Sequence, residues 1–378
     1  MYTLSHKIRI SATQAGCTVH DVEQNPIFCY TVNVDKQTVI TLFESAVTAK
    51  ASDIHVAVGA PLLFRIDGNL IPQTKQEMTA DQALGVVQAV LNEKQYKRFT
   101  EEKEIDVSFA LKGGTRLRVN CSFERGNVTL VARIVPSVIP TLEELQLLEI
   151  AQHIYRFDDG LILFTGPTGM GKSTSLAAIL QTINAAESHH IITLEDPIEF
   201  LFPKGKCLVR QREYEQDFRT FPEALKRVLR QDPNIILVGE MRDPETITAA
   251  LTLAETGHLI FGTLHTPNTM QTIDRIIDAF PPHQQSQIRS QLSLSLKMVV
   301  AQKLLPKTGG GRIALREVLI NTPAVSNTIR DARTQELVTV MQTSENIGMV
   351  TFAKSAEKLL KQGLISKETY DFHVPALK

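Results

Sequence analysis

Four short runs of almost unbroken apolar residues recur between Gly160 and Leu264: GLILFTG, HIITLED, NIILVGE and HLIFGTL. Each is short for a helix and too uniform for the alternating pattern of a half-exposed strand. Runs of this kind are buried on both faces of a parallel sheet, and parallel strands need crossover helices to join them. The intervening stretches carry helical patterns, so this half of the chain is expected to be α/β. Such sheets place ligands outside the carboxyl ends of their strands. The residues that follow each run are therefore where chemistry is expected.

The first run ends in GPTGMGKST, Gly166 to Thr174, and KSTSLAAILQTINAA then reads as a helix. The pattern G-x-x-x-x-G-K-[ST], placed between a buried strand and a helix, is that of a phosphate-binding loop. Glycines let the backbone curl so that its N–H groups converge on phosphate oxygens at a helix N-terminus. The expected cradle is Gly166, Pro167, Thr168, Gly169, Met170, Gly171, Lys172, Ser173 and Thr174. Lys172 is expected to reach the β- and γ-phosphates and the Ser173 hydroxyl to ligate Mg²⁺, so the expected ligands are ATP and Mg²⁺.

Hydrolysis needs a carboxylate near the γ-phosphate as well as a cradle. The second and third runs deliver acids at their carboxyl ends: Glu195, Asp196 and Glu199 in IITLEDPIEF, and Glu240 in IILVGEMRDPET. Glu240 is the favoured general base, with Glu199 orienting the water or the metal shell. Spacing does not separate the two roles, and either acid is a candidate for the Mg²⁺ shell. The fourth run is bracketed by His258 and His265. On a strand they fall on opposite faces and roughly 20 Å apart, which argues against a shared zinc ion. His265, past the carboxyl end, is expected to sense the γ-phosphate, and His258 to be structural or at a subunit contact.

The chain before this region has a different texture. TVITLFESAVTAKASD reads as an amphipathic helix, TADQALGVVQAVLNEKQYKRFTEE as one further helix, and SDIHVAV, PLLFRIDG, NLIPQ, IDVSFAL, TRLRVNCSFE and VTLVARIV as strands. A small α+β domain ending near Val135 follows. VPSVIPTLEEL, with two prolines, reads as a connector and a candidate hinge. Beyond Pro281 the pattern HQQSQIRSQLSLSLKMVVAQKLL reads as helical throughout. A net charge of −1 gives no global basic field for nucleic acid. The four cysteines are scattered without a CxxC pair, so neither a zinc ribbon nor a disulfide framework is expected and a reducing cytoplasm is. No apolar run approaches the ~18 residues of a membrane span, and no secretory signal is expected.

GPTGMGKST, TLEDPIEF, ILVGEMRDPET and AETGHLIFGTLHT together resemble the Walker A, Asp box, Walker B and His box of secretion-type ATPases. Within that superfamily the chain is similar to the type IV pilus retraction ATPases, the PilT and PilU family, from about Val39 onward, including SDIHV, QREY, TIDRIIDAFPP and GLIS. The resemblance implies an N-terminal PAS-like α+β domain over residues 38–137, a linker over 138–145, and a RecA-like motor domain with helical C-terminal part over 146–378. Residues 1–37 are an extension of unassigned role beyond the family's usual start. It also implies a cytoplasmic homo-hexamer, peripheral at the inner face of the membrane through a pilus platform protein, with a paralogous pilus ATPase as a further partner. By the same likeness Arg118 and Arg133 are expected to act in trans on the γ-phosphate. Two departures stand out: Tyr214 replaces the family's usual valine, and VSNTIRDART only partly matches its retraction motif. Assembly and secretion paralogues usually carry a tetracysteine zinc loop, which this chain lacks. A secretion or DNA-uptake ATPase and a non-catalytic nucleotide-binding accessory subunit are the alternatives.

Overall fold

The computed structural model describes residues 34–66, 68–112, 114–135 and 138–373. Residues 1–33, and Pro136 and Ser137 of the connector, lie outside them; the last residues of the extension, 34–37, are described and enter the first helix. The chain divides into two compact units, Met1–Ser137 and Val138–Lys378.

The first unit opens with helix α1 (Lys36–Thr48), whose first turn is capped by Asp35 accepting from the Thr38 amide at 2.7 Å. Its apolar residues at helical spacing, Val39, Leu42, Phe43 and Ala46, are buried. Strands β1 (Asp53–Val56), β2 (Pro61–Ile66) and β3 (Asn69–Glu77) follow, then helices α2 (Ala80–Val90) and α3 (Glu93–Glu102), then β4 (Glu104–Ala110), β5 (Arg116–Glu124) and β6 (Asn127–Ile134). The six strands form one antiparallel sheet in the order β3-β2-β1-β6-β5-β4. One face is apolar: Leu117, Val119 and Cys121 of β5 point into the core, while Arg116, Arg118 and Asn120 alternate outward. The single helix expected over residues 79–102 is two. Leu91 is extended, and Asn92 caps a new helix through a reciprocal pair with Gln95, at 2.9 and 3.0 Å. Such a capping box satisfies donors that a continuous helix would leave to its neighbours, and it redirects the chain.

The second unit contains α4 (Leu148–Ile154), β7 (Gly160–Thr165), α5 (Lys172–Ala186), β8 (His190–Glu195), β9 (Leu208–Glu213), α6 (Phe221–Val228), β10 (Ile235–Val238), α7 (Pro244–Glu255), β11 (Leu259–Leu264), α8 (Thr269–Asp278) and α9 (Pro282–Ser295). After these come β12 (Leu296–Pro306), β13 (Arg312–Ile320), α10 (Pro323–Arg330), α11 (Leu337–Thr343), α12 (Phe352–Lys361) and α13 (Lys367–His373). The seven strands run in the order β13-β12-β7-β11-β10-β8-β9, parallel except for β13. Strands β7, β10 and β11 are buried at every position. The fold is α/β, with a smaller β-rich N-terminal unit.

One expectation fails here. The helical pattern beyond Pro281 stops at Ser295, and LKMVVAQKLLP is a strand, β12, lying between β7 and β13. Leucines at near-helical spacing misled because β12 is buried on both faces and so shows no alternation; Val299 and Val300, β-branched and fully buried, favour the strand. From Val138 onward the connector belongs to the second unit. Leu142 and Leu147 join its core, and Thr141 and Glu144 cap each other at 2.8 and 3.2 Å.

Candidate active site

The loop after β7 turns through three glycines with positive φ, Gly166, Gly169 and Gly171, and Gly171 caps α5. At Gly166 a side chain is impossible for a second reason: a Cβ there would sit 2.3 Å from the Gln302 carbonyl oxygen on β12. The loop is thus pressed onto its neighbouring strand, leaving backbone N–H groups at the helix N-terminus to face a ligand. Lys172 is the first residue of α5 and is nearly buried. Its ammonium donates to the carbonyls of Gly166 at 2.6 Å and Pro167 at 3.2 Å. Burial lowers its pKa below the ordinary lysine value, while the charges of Glu240 and Glu199 oppose that shift. Both acids therefore share the electrostatic field of the loop. Ser173 and Thr174 follow in the first turn of α5 and are half-buried.

Glu240 leaves β10 two residues past its end. Gly239 makes the exit, because a Cβ there would stand 2.9 Å from the Leu194 carbonyl of β8. Thr263 of β11 donates to the Gly239 carbonyl at 2.5 Å and accepts Met241 on its own carbonyl at 3.0 Å, which pins the turn to the sheet. The Glu240 carboxylate meets Arg242 at 2.5 Å and His265 Nε2 at 3.1 Å. Burial works against its charge, but the Arg242 hydrogen bond and the His265 contact outweigh it and hold the pKa below the usual glutamate value. This carboxylate is kept ionised, as an acceptor of protons must be.

His265 joins the acid to the loop. Its Nδ1 lies 3.3 Å from Thr168 Oγ1 and 3.5 Å from Lys172 Nζ. The assignment that satisfies all these contacts has Nδ1 accepting and Nε2–H donating to Glu240. His258 stands at the other end of β11, where its Nδ1 contacts the Leu253 carbonyl and Thr256 Oγ1, both at 3.2 Å. The two histidines thus have separate partners at opposite ends of a six-residue strand.

The acids after β8 divide by burial. Glu195 is buried with its carboxyl accepting from Thr193 Oγ1 at 2.6 Å and Gln211 Nε2 at 3.1 Å, and burial pushes its pKa up to about 7. Its neighbour Glu199 is exposed, and the Glu199 amide hydrogen-bonds the Glu195 carboxyl. The structure therefore brings Lys172, Glu240, His265 and Thr168 into direct contact and leaves Glu199 in their electrostatic reach.

Arg118 and Arg133 belong to the first unit, directly opposite each other on β5 and β6. Arg133 donates to the buried Asp53 carboxylate at 2.8 Å, and Arg65 approaches the same carboxylate at 3.7 Å. Arg118 is exposed and faces Ser108 on its other side. The Asp53 carboxylate thus serves two guanidiniums, Arg133 and Arg65, and Arg118 stands beside Arg133 with no ion-pair partner among the described residues, while Glu104 and Asp106 meet Asn120 farther along the same face. Of the two arginines that flank the third apolar run, Arg242 pairs with Glu240 and Arg230 is exposed after α6.

Two buried residues behind the loop escaped sequence reading, Gln302 on β12 and Arg316 on β13. Their only signal was a polar residue inside an otherwise apolar strand, MVVAQKLL and IALREVLI.

Residues 33–310 match the family model described as type II/IV secretion system protein. The chain is 46% identical over 318 residues to the type IV pilus retraction ATPase PilT of Pseudomonas aeruginosa, covering 84% of this chain and 92% of that one. It is 44% identical over 326 residues to a twitching motility protein of Neisseria gonorrhoeae, covering 86% and 87%. Among solved structures, that of the pilus retraction motor PilT with bound ADP superposes with a TM-score of 0.82 at 42% identity, covering 88% of this chain and 95% of that one. No helix among the described residues is long and apolar enough to cross a membrane.

Proposed function

The chain belongs to the type II/IV secretion system protein family, and from that premise we propose that it is an ATPase motor powering type IV pilus retraction. The observation that carries the proposal is the contact chain Thr168–His265–Glu240 beside Lys172, which gathers loop, acid and histidine at one edge of the sheet. That is where a parallel sheet holds a ligand. The high identity to a retraction ATPase and to a twitching motility protein supports the direction of work.

In this reading Lys172 exchanges the carbonyls of Gly166 and Pro167 for the β- and γ-phosphates of ATP. Glu240, already ionised, accepts hydrogen bonding from the attacking water and polarises it. His265 touches both Glu240 and Thr168, so it registers whether the γ-phosphate is present and passes its loss to the segment after β11. The Ser173 hydroxyl, on the first turn of α5 beside a glycine cradle, suits Mg²⁺, with Glu199 or Glu240 in its outer shell. The ion would supply charge neutralisation along the phosphates. Arg118 and Arg133 are assigned to a neighbouring copy's γ-phosphate, supported by their side-by-side placement on the outward face and the exposure of Arg118. The working assembly is then a cytoplasmic homo-hexamer docked on a membrane platform protein, with a paralogous pilus ATPase as a further partner. Residues 38–137 form the PAS-like domain, 138–145 the linker and 146–378 the RecA-like motor.

The test pairs chemistry with phenotype. Deleting the gene is expected to leave excess surface fibres without twitching, and Lys172→Ala is expected not to restore it. Absent fibres would instead mark an assembly motor. In the purified protein, Glu240→Gln is expected to lower ATP turnover by about 10²- to 10⁴-fold while ATP still binds; normal turnover would remove Glu240 from the role of base.

A further inference from the structure

The phosphate loop rests on a buried polar cluster to which the mechanism above gives no part. Gln302, 1% exposed, donates from Nε2 to the Met170 carbonyl at 2.6 Å. Its Oε1 accepts from Ser175 Oγ at 2.9 Å and from Arg316 Nε at 2.8 Å. Arg316 is itself 5% exposed, and its guanidinium also donates to the carbonyls of Leu145 at 2.8 Å and Gln146 at 3.2 Å and to the Ser175 hydroxyl at 3.5 Å. A guanidinium has donors and no acceptor, so it fixes which end of the Gln302 amide faces it. The oxygen must face Arg316, and the NH₂ must therefore face the loop. Across a planar trans peptide the C=O of Met170 and the N–H of Gly171 point in opposite directions. Drawing the carbonyl toward β12 turns the Gly171 N–H to the other side of the loop, where the cradle lies. Gly171 supplies the fit: a Cβ there would stand 3.1 Å from Gln302 Nε2. The Leu304 amide, 3.3 Å from Met170 Sδ, holds the same residue from the next turn of the strand.

We propose that Gln302 is a positioning residue for phosphate binding, its amide locked by Arg316 and Ser175 so that it clamps the Met170 carbonyl and aims the Gly171 N–H at the phosphates. The assignment rests on the reading of residues 166–174 as a nucleotide cradle. Neither residue touches the phosphates; both act through the backbone of the loop. Arg316 also grips the carbonyls that lead into α4, so the entry segment of this unit and its phosphate loop hang from one side chain.

The discriminating variant is Gln302→Glu. Its carboxylate keeps both acceptor contacts, to Ser175 and Arg316, and sets an acceptor against the Met170 carbonyl in place of the donor. ADP affinity, measured by calorimetry on the full chain, is expected to fall about three- to tenfold, the worth of one neutral amide–carbonyl hydrogen bond, while the melting temperature without nucleotide is retained. Wild-type ADP affinity in this variant would overturn the proposal. So would a melting temperature that falls with the affinity, the result of an amide that only stabilises the fold. A second pair reads the lock itself: Arg316→Met frees the amide to turn over and is expected to weaken ADP about threefold or more, and Arg316→Lys, which still donates, to restore most of it. Equal affinities for the Met and Lys variants would overturn the role of Arg316. Failure of the wild-type protein to bind ADP, with Lys172→Ala no weaker, would instead sink the nucleotide reading beneath both.

Discussion

The two sheets of this protein are nearly the same size, six strands and seven, yet they handle charge in opposite ways. The antiparallel sheet buries one face, so every second position along a strand is open to polar residues, and a row of arginines runs across its middle: Arg65, Arg133 and Arg118 on β2, β6 and β5, with Asp53 among them on β1. The parallel sheet buries both faces, so its central strands β7, β10 and β11 carry no charged residue at all. Their chemistry is forced to the ends, onto Lys172, Glu240 and His265. A one-sided sheet offers a surface, and a two-sided sheet offers an edge.

The contrast breaks most sharply if the surface arginines do nothing. Arg118→Ala is expected to lower ATP turnover by about 10³-fold or more, the range of an arginine supplied in trans, with nucleotide affinity unchanged. Turnover within a few fold of wild type would return Arg118 to a solvated face. Arg118 is the cleaner choice, because removing Arg133 also strips the buried Asp53 carboxylate of its closer partner.

A smaller effect separates the two cores. Phe164 on β7 is fully buried, whereas Val131 on β6 is 37% exposed. Phe164→Ala is expected to cost about 3–5 kcal/mol in denaturant unfolding, and Val131→Ala less than about 1 kcal/mol. Similar losses would mean that the first sheet's outer face is covered.

The smallest expected effect is a pH dependence. Burial raises the Asp53 pKa, but the hydrogen bonds from Arg133 and Ser52 prevail and hold it below the ordinary aspartate value. Its folded pKa thus lies below its unfolded one, and the stability it contributes is present above about pH 4 and lost as pH falls further. Asp53→Asn is expected to flatten the acid limb of the melting-temperature profile and leave neutral pH less affected. An unchanged acid limb would show that the row of arginines does not depend on this carboxylate.

How much of this was legible in the sequence follows from where each piece of chemistry is stored. The phosphate loop, the acid after β10 and the histidine after β11 were visible because each is a local departure from an apolar strand. The break between α2 and α3 was less visible, since Asn92 and Gln95 form a capping box inside a stretch that keeps its helical rhythm. Strand β12 was missed because a segment buried on both sides has no period to betray it. Gln302 and Arg316 lay beyond reach for another reason. Gln302 is 132 positions from the Met170 carbonyl it binds, and their meeting depends on β12 lying next to β7. A second strand order would have placed some other residue beneath the loop.

Strand β9 is the last in the larger sheet, with no partner beyond it among the described residues. Such a margin invites another chain to continue the sheet. Along β9 stand Arg210 and Arg212, charges that a zipper of like strands would have to stack against themselves. They make uncontrolled strand-on-strand growth along this margin unfavourable, so the same two charges act as a barrier when molecules crowd.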